Sequence, residues 1–210
     1  QLELAVLEAM AGDVAAARSL CASTRAVLVD LGWEMQAALV SLSSGPIELL
    51  ADEAVRAEAE LQRDLEALER MEERNFISLT MVLLAEARYR LRRFDEAAVL
   101  VERSREVAWP DDVAVQTYLG TVGGKLAARR GAVAEGLDQL AAAVGLMEGT
   151  EDPSGLGDVL LDRCEVRWLG GDPQGAAADA AAALVAYERK ENELGAARAR
   201  RTAQRLAAGQ

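Results

Sequence analysis

Small and apolar residues recur along the chain at helical spacing, and the whole arrangement returns about every 40 residues. It is anchored by a six-residue phrase whose copies begin at Gly12, Asp52, Arg92, Gly131 and Gly171. The intervals between these anchor residues are 40, 40, 39 and 40 positions. A period in this range is typical of a stacked array of helical units and not of a globular enzyme core. The pattern therefore predicts five repeated units.

Two positions of the unit accept only small side chains, seven residues before the anchor and five residues after it. Facing positions of this kind allow two antiparallel helices to cross closely. Larger apolar residues mostly stand nine and sixteen residues after the anchor, on the same helical stripe as the second small position. Each unit is therefore predicted to be a helix, a tight turn and a second helix. The ten small residues are Ala5, Gly45, Ala85, Gly124 and Cys164 before the turns and Ala17, Ala57, Ala97, Gly136 and Ala176 after them.

The turns have their own chemistry. Glycine opens three of the five and tolerates the positive φ that ends a helix. Asp13 and Asp172 are suited to cap the helix that follows, and Pro173 fits its first turn. With these boundaries the pattern predicts helices over residues 2–11, 13–31, 33–50, 53–72, 74–91, 94–108, 112–129, 133–148, 154–169, 173–189 and 193–207.

Gly45-Pro46 lies inside the third predicted helix. Proline removes a backbone donor and crowds the preceding turn, so we expect a kink or break near residues 43–46.

The last predicted helix, 193–207, has no partner helix in the sequence. We expect it to cover the open end of the stack as a cap. The residues predicted to face inward are Ala196, Ala199, Ala203 and Leu206, and those predicted to lie outside are Arg198, Arg201 and Arg205.

Composition narrows the function classes. Of the 210 residues, 51% are hydrophobic but only 4% aromatic, so the core must consist mainly of Ala, Leu and Val. The net charge of −12 disfavours nucleic acid, which needs a basic surface. The sequence contains no histidine, which removes the commonest general base and transition-metal ligand. We therefore expect a non-enzymatic protein without a metal or cofactor.

The sequence also bears on the cellular compartment and on whether the chain belongs to a longer protein. Cys21 and Cys164 lie far apart at packing positions, which favours two buried thiols in a reducing cytoplasm. We find no apolar run that could span a bilayer and expect no membrane partner. Gln1 opens directly on an amphipathic run, which indicates a fragment of a longer protein.

One stretch invites a phosphate-loop interpretation, because Gly120, Gly123, Gly124 and Lys125 form a glycine-rich run that ends in lysine. That motif needs four residues between its glycines, Ser or Thr after the lysine, and a preceding strand. Here leucine follows the lysine, and Gly124 occupies a small packing position of the repeat. The run is therefore interpreted as part of a helix.

The small residue, the Gly-Asp-like turn and the Ala five positions on resemble the tetratricopeptide repeat, most clearly at 92–97 and 171–176. The usual period is about 34 residues, so each helix is longer here. The resemblance implies an all-α fold of tandem antiparallel helix–turn–helix repeats stacked in a right-handed superhelix, about five units plus a C-terminal capping helix. We expect a single domain over 1–210, with units near 1–32, 33–73, 74–109, 110–151 and 152–190 and a cap at 191–208.

A narrower likeness rests on the sequences of three segments, LEALERMEERNFISLTMVLLAEARYRLRRFDEA, PDDVAVQ and LLDRCEVRWLGGDPQGAAADAAAALVAYERKEN. They are similar to C-terminal repeat regions of actinobacterial signalling proteins. Such proteins join these repeats to an ATPase module and to a class III nucleotidyl cyclase or a DNA-binding domain. None of those modules lies in this sequence, so the likeness implies a regulatory context and not an activity.

Helical-repeat arrays bind ligands along the concave face lined by the first helix of each unit. Aromatic and charged residues at the expected groove positions are conspicuous in a chain so poor in aromatics, and such residues dominate binding hot spots. The alternative for Tyr89 and Trp168 is that they pack between neighbouring units. The candidate groove residues are Glu86, Tyr89, Tyr118, Lys125, Asp158, Glu165 and Trp168.

The leading hypothesis is a binding and scaffolding module that recognises a protein or peptide, or a neighbouring domain of the same polypeptide. A small-molecule sensor coupled to an ATPase or cyclase is the first alternative. A homodimerisation device is the second, because an apolar strip in the third helix could contact another copy of the chain. That strip consists of Leu39, Leu42, Pro46 and Leu49.

Overall fold

In the computed structural model, which describes residues 1–74 and 76–209, the described residues form α-helices joined by short turns and no strand. The predicted all-α class and the tandem helix–turn–helix repeats are confirmed. Residue 75, inside the predicted helix 74–91, lies outside the described residues. The helices are α1 (Leu2–Met10), α2 (Val14–Asp30), α3 (Glu34–Ala38), α4 (Ser41–Leu50), α5 (Ala54–Arg70), α6 (Ile77–Arg90), α7 (Phe94–Val107), α8 (Val113–Arg129), α9 (Val133–Glu148), α10 (Pro153–Leu169), α11 (Pro173–Arg189) and α12 (Glu193–Ala207).

The helices group into two compact units, Gln1–Trp109 and Pro110–Gln210. The boundary coincides with the one expected between the third and fourth repeats. The first unit contains α1 to α7 and the second contains α8 to α12. That the whole chain forms a single domain stays a prediction.

The third predicted helix is two helices, α3 and α4, separated by Leu39 and Val40. A break was expected near residues 43–46; it lies three residues upstream of that range, and α4 runs through Pro46. The proline ring crowds the carbonyl four residues before it, which belongs to Leu42 in the first turn of α4. The disturbance therefore falls upstream, where the Leu42 N–H bonds to the carbonyl only three residues back, at 3.1 Å.

Every anchor residue of the repeat ends a helix in the left-handed region. The φ angles are +95° at Gly12, +63° at Asp52, +62° at Arg92, +90° at Gly131 and +76° at Gly171. After each anchor, the next backbone N–H bonds to the carbonyl five residues earlier at 2.8 to 3.0 Å. This is the Schellman arrangement, which satisfies carbonyls at a helix end. Two anchors adopt it without being glycine.

Aspartate and asparagine side chains cap the N-termini of several helices, which include both first and second helices of the repeat units. Asp13 accepts from the Ala16 N–H at 2.9 Å, and Asp172 accepts from the Gly175 N–H at 2.8 Å, as predicted. The same cap occurs at three further helix starts. These caps are Asp112 on α8, Asp152 on α10 and Asn192 on α12.

The small positions are where helix backbones meet. A Cβ placed on Gly136 would lie 2.5 Å from the Gly124 carbonyl oxygen, and a Cβ on Gly124 would lie 2.7 Å from that of Gly136. The corresponding Ala17, Ala57 and Ala97 are fully buried. The predicted close crossing of the two helices of a unit is therefore confirmed, and Gly124 has a packing role inside α8.

In the first unit, ion pairs join neighbouring helices around an alanine-rich core. Arg18 on α2 donates two hydrogen bonds to Glu48 on α4, at 2.6 and 2.8 Å. Arg25 on α2 reaches the buried Asp64 on α5 at 2.9 Å. A buried carboxylate of this kind is costly without a partner, so the arginine stabilises the position of α5.

In the second unit, the largest fully buried side chain is Tyr187 on α11. Its ring lies between Gly157 on α10 and Gly195 on α12, where an added Cβ would approach ring atoms to 2.8 and 2.5 Å. Two glycines thus make the space that lets three helices pack around one aromatic ring. The predicted capping helix is confirmed as a helix, with Ala196 and Ala199 buried as expected.

Arg92→Gly is expected to raise the free energy of unfolding by about 0.5–1 kcal/mol. The left-handed conformation costs a non-glycine residue about 1–2 kcal/mol, and the larger entropy of glycine in the unfolded chain offsets about 0.4–1 kcal/mol of that. Urea denaturation followed by circular dichroism measures the change. Gly171→Ala is the reciprocal control and should destabilise, and a destabilised Arg92→Gly variant would contradict the strain.

Gly136→Ala is expected to destabilise the second unit by roughly 1–3 kcal/mol, because the new methyl group meets backbone that cannot move alone. Gly145→Ala on the same helix is the matched control, since a Cβ there meets nothing within 4 Å. The control should gain about 0.8 kcal/mol from helix propensity. Thermal unfolding of both variants tests the pair, and equal shifts would argue against the close crossing.

Cys164 is expected to resist thiol reagents in the folded protein. Burial raises the pKa of its thiol to about 11, so the reactive thiolate is scarce at pH 8. In a Cys21→Ala background, reaction with a chromogenic disulfide should be at least about 100-fold slower than in urea. Because folding raises this pKa, the buried neutral thiol favours the folded state. Its contribution to the free energy of unfolding should be fully present below about pH 9 and should be lost as pH rises toward 11. Fast reaction in the native state would refute the burial.

Candidate functional site

The second unit contains a cavity of about 300 Å³ between α8 and α10, and the C-terminal part of α9 contributes Met147 to its lining. Its apolar wall includes Val113, Met147 and Val159. Its polar groups come from threonine hydroxyls, one tyrosine and three carboxylates. These polar residues are Thr117, Tyr118, Thr121, Thr150, Asp152, Asp158 and Asp162.

The spacing of the lining residues explains how two helices form one groove. Apart from Val113, the first residue of α8, they stand on α8 at 114, 117, 118 and 121, and on α10 at 155, 158, 159 and 162. Both sets follow the i, i+3, i+4, i+7 pattern of a single helix face. The α10 set is shifted by one position relative to the repeat anchor, a rotation of about 100° that turns the two faces toward each other.

Tyr118 and Asp158 occupy the same position of the repeat, thirteen residues before their anchors. Both were predicted as groove residues, and the structure places both in the cavity lining. The Asp158 side chain is 46% exposed. Its Oδ1 accepts hydrogen bonds from the Tyr187 hydroxyl at 2.7 Å and from Arg198 at 2.9 Å.

Lys125 on α8 was predicted to face the groove, but its side chain is only 1% exposed. Its ammonium donates to the Asp162 carboxylate across the groove at 2.8 Å. Taking an ammonium out of water costs several kcal/mol, so this lysine depends on the opposing carboxylate. The pair joins α8 to α10 at one end of the cavity.

Glu165 accepts from Arg129 at 2.5 Å, one turn beyond the Lys125 pair. Each side chain is about one-third exposed, at 33%. Trp168, another turn on, packs against the buried cluster of Cys164, Ala176 and Ala180. The five predicted residues of the second unit therefore follow α8 and α10 from the cavity toward the anchors.

The two predicted residues of the first unit are buried. Glu86 is 3% exposed and accepts from Arg90 at 2.7 Å. Tyr89 is 4% exposed and lies with its ring centroid 5.2 Å from that of Phe94. Both side chains leave little surface for a ligand, and the ring contact of Tyr89 is with a residue of its own repeat. Packing of Tyr89 between neighbouring units stays a prediction. A ligand role for any of the seven residues stays a prediction.

Several lining residues were not predicted from the sequence. Thr117, Thr121 and Asp162 share a helix face with the predicted residues, so the i, i+3, i+4 pattern could have found them. Arg198 was expected outside the cap, but its side chain turns inward to Asp158 and is 15% exposed. The small-residue stripe of α12 could not show where a long side chain would reach. Ala203, expected to face inward, is exposed.

The apolar strip proposed for dimerisation is only partly available. Leu49 is 4% exposed, and Leu39, Leu42 and Pro46 are half-buried. Dimer formation through this strip stays a prediction.

Two features are absent from the described residues 1–74 and 76–209. No helix there has the length and hydrophobicity needed to cross a bilayer. No group of three or more His, Cys, Asp or Glu side chains in that part is arranged to hold a metal ion.

No protein-family model matches the sequence, and no curated protein matches it. Among solved structures, the chain is similar to the crystal structure of a Podospora anserina protein described as a kinesin light chain with nearly identical TPR-like repeats. The TM-score is 0.55 at 16% sequence identity, over 90% of this chain and 94% of that chain. At this identity the likeness shows the fold alone, which is that of tetratricopeptide-like helical repeats.

Proposed function

We propose that the chain is a non-enzymatic binding module and that its second unit takes an extended, basic protein segment along the groove between α8 and α10. The cavity beside Tyr118 and Asp158 is the observation that carries the proposal. An aromatic ring and apolar wall would hold apolar side chains, while the carboxylates would select cationic ones.

The sign of the ligand charge follows from how the cavity is built. Helix N-termini favour anions, and both α8 and α10 begin beside the cavity. The caps Asp112 and Asp152 already place a negative charge at each of these ends. Of the three lining carboxylates, Asp152 has a backbone N–H as its partner, and Asp158 keeps nearly half of its side chain exposed. The overall charge of −12 attracts the same kind of ligand at long range.

The length of the groove sets the length of the ligand. Helix α8 has 17 residues, which corresponds to about 25 Å. An extended peptide of about eight residues covers that distance. Alternate side chains of such a peptide point to opposite sides, so one set can meet the helices while the other faces solvent.

The wider context we propose is a regulatory segment of a multidomain bacterial signalling protein in the cytoplasm. The similarity of three segments to actinobacterial signalling proteins supports this context. The bound segment would then belong to a partner protein or to a neighbouring domain of the same polypeptide.

A small-molecule sensor is the second candidate, and the cavity itself favours it. Its volume of about 300 Å³ is at the lower end for small-molecule sites. Hydroxyls and carboxylates above an apolar wall are the lining such sites use.

The test uses a fluorescein-labelled octapeptide of alternating arginine and leucine, with a citrulline-for-arginine peptide as its uncharged twin. We expect fluorescence anisotropy to show preferential binding of the arginine peptide. Asp158→Asn should weaken that binding about tenfold or more, because a charge-assisted hydrogen bond is lost. Tyr118→Ala should weaken both peptides by removing an aromatic anchor.

Two matched variants control for nonspecific effects. Asp138→Asn removes an exposed carboxylate from α9, and Trp33→Ala removes an aromatic ring that is 54% exposed in the first unit. Both should bind like the wild type. Equal affinity for the arginine and citrulline peptides would refute the basic-segment proposal. Thermal stabilisation by a metabolite pool, without peptide binding, would favour the sensor.

A further inference from the structure

We propose that Arg198 is a built-in competitor for the groove, so that a ligand cation at Asp158 loosens the docking of the C-terminal helix α12. This inference rests on the proposed function, because it concerns the regulation of the same site. The capping helix would then lower the affinity of the groove for cationic ligands, in addition to its role in packing.

The geometry begins at one carboxylate oxygen. Asp158 Oδ1 accepts from the Tyr187 hydroxyl at 2.7 Å and from Arg198 at 2.9 Å. The same side chain lines the cavity and is 46% exposed there. One carboxylate therefore faces α11 and α12 on one side and the ligand space on the other.

Arg198 differs from its neighbour on the same helix. Its side chain is 15% exposed, whereas that of Arg200 is 48% exposed and pairs with the equally exposed Glu188 on α11. Arg198 therefore already supplies the kind of cation that the proposed ligand would bring to Asp158. An exposed pair such as that of Arg200 contributes little to stability.

The attachment of α12 combines packing with polar links, and two of those links reach α10. Packing comes from Gly195 against the Tyr187 ring and from the buried Ala199. The links to α10 are the Arg198 pair and a 3.2 Å hydrogen bond from Asn192 to Ser154. Weakening the Arg198 link would leave α12 packed on α11 but less firmly joined to α10.

Competition then acts in both directions. A ligand guanidinium beside Asp158 repels Arg198 and shares its carboxylate, which raises the free energy of the docked α12. Thermodynamic linkage requires the converse, so docking of Arg198 must weaken the binding of cationic ligands by the same factor. An uncharged ligand in the same groove would not be coupled in this way.

The experiment compares Arg198→Met with Arg200→Met, which each remove one ion pair from α12. We expect Arg198→Met to bind the arginine octapeptide about threefold to fivefold more tightly than the wild type, as expected for a pair worth about 1 kcal/mol. Arg200→Met should match the wild type, and the citrulline peptide should bind all three proteins alike. Hydrogen exchange of α12 amides should quicken when the wild type binds the arginine peptide and not the citrulline peptide.

The outcomes separate this inference from the proposed function. If the arginine peptide binds and depends on Asp158, but Arg198→Met has unchanged or weaker affinity, the competition is refuted while the groove stands. Tighter binding of both peptides by Arg198→Met would show a general loosening and would also refute it. If no protein of the set binds the peptide, the proposed function fails and the inference fails with it.

Discussion

The close crossing of the two helices in each repeat is the constraint on which the rest of the structure depends. Where the backbones of Gly124 and Gly136 touch, neither position has room for a Cβ. That contact fixes the separation of α8 and α9, and α9 in turn contributes Met147 to the lining of the cavity. Because α10 packs beside both helices, the groove is a consequence of the spacing that the small residues impose.

The repeat pattern predicts the hairpins well because it records that same constraint. Small residues at two fixed positions and glycine at three anchors determine where helices cross and end. The break in the third helix lies upstream of the expected range because Pro46 disturbs the turn before it and not its own position. Asp52 and Arg92 also show that packing can impose a left-handed turn on residues that disfavour it.

The site was predictable only in part, since helical periodicity gives the direction of a side chain but not its reach. Tyr118 and Asp158 share a repeat position and both line the cavity. Lys125 lies seven residues after Tyr118, on the same face of α8, yet its long side chain crosses to Asp162 and is buried. Arg198 likewise reaches a carboxylate 40 residues away in sequence. Such pairings depend on which charges meet across helices, and one helix alone does not record them.

The ion pairs therefore shape the groove as much as the helices do. Lys125 and Arg198 each neutralise one lining carboxylate, and they do so from different sides, α8 and α12. The Lys125 pair is nearly closed to solvent, so a ligand gains little by displacing it. The Asp158 pair is half open, so the same exchange there costs less. Burial thus divides two similar pairs into one that holds the helices together and one that a ligand can contest.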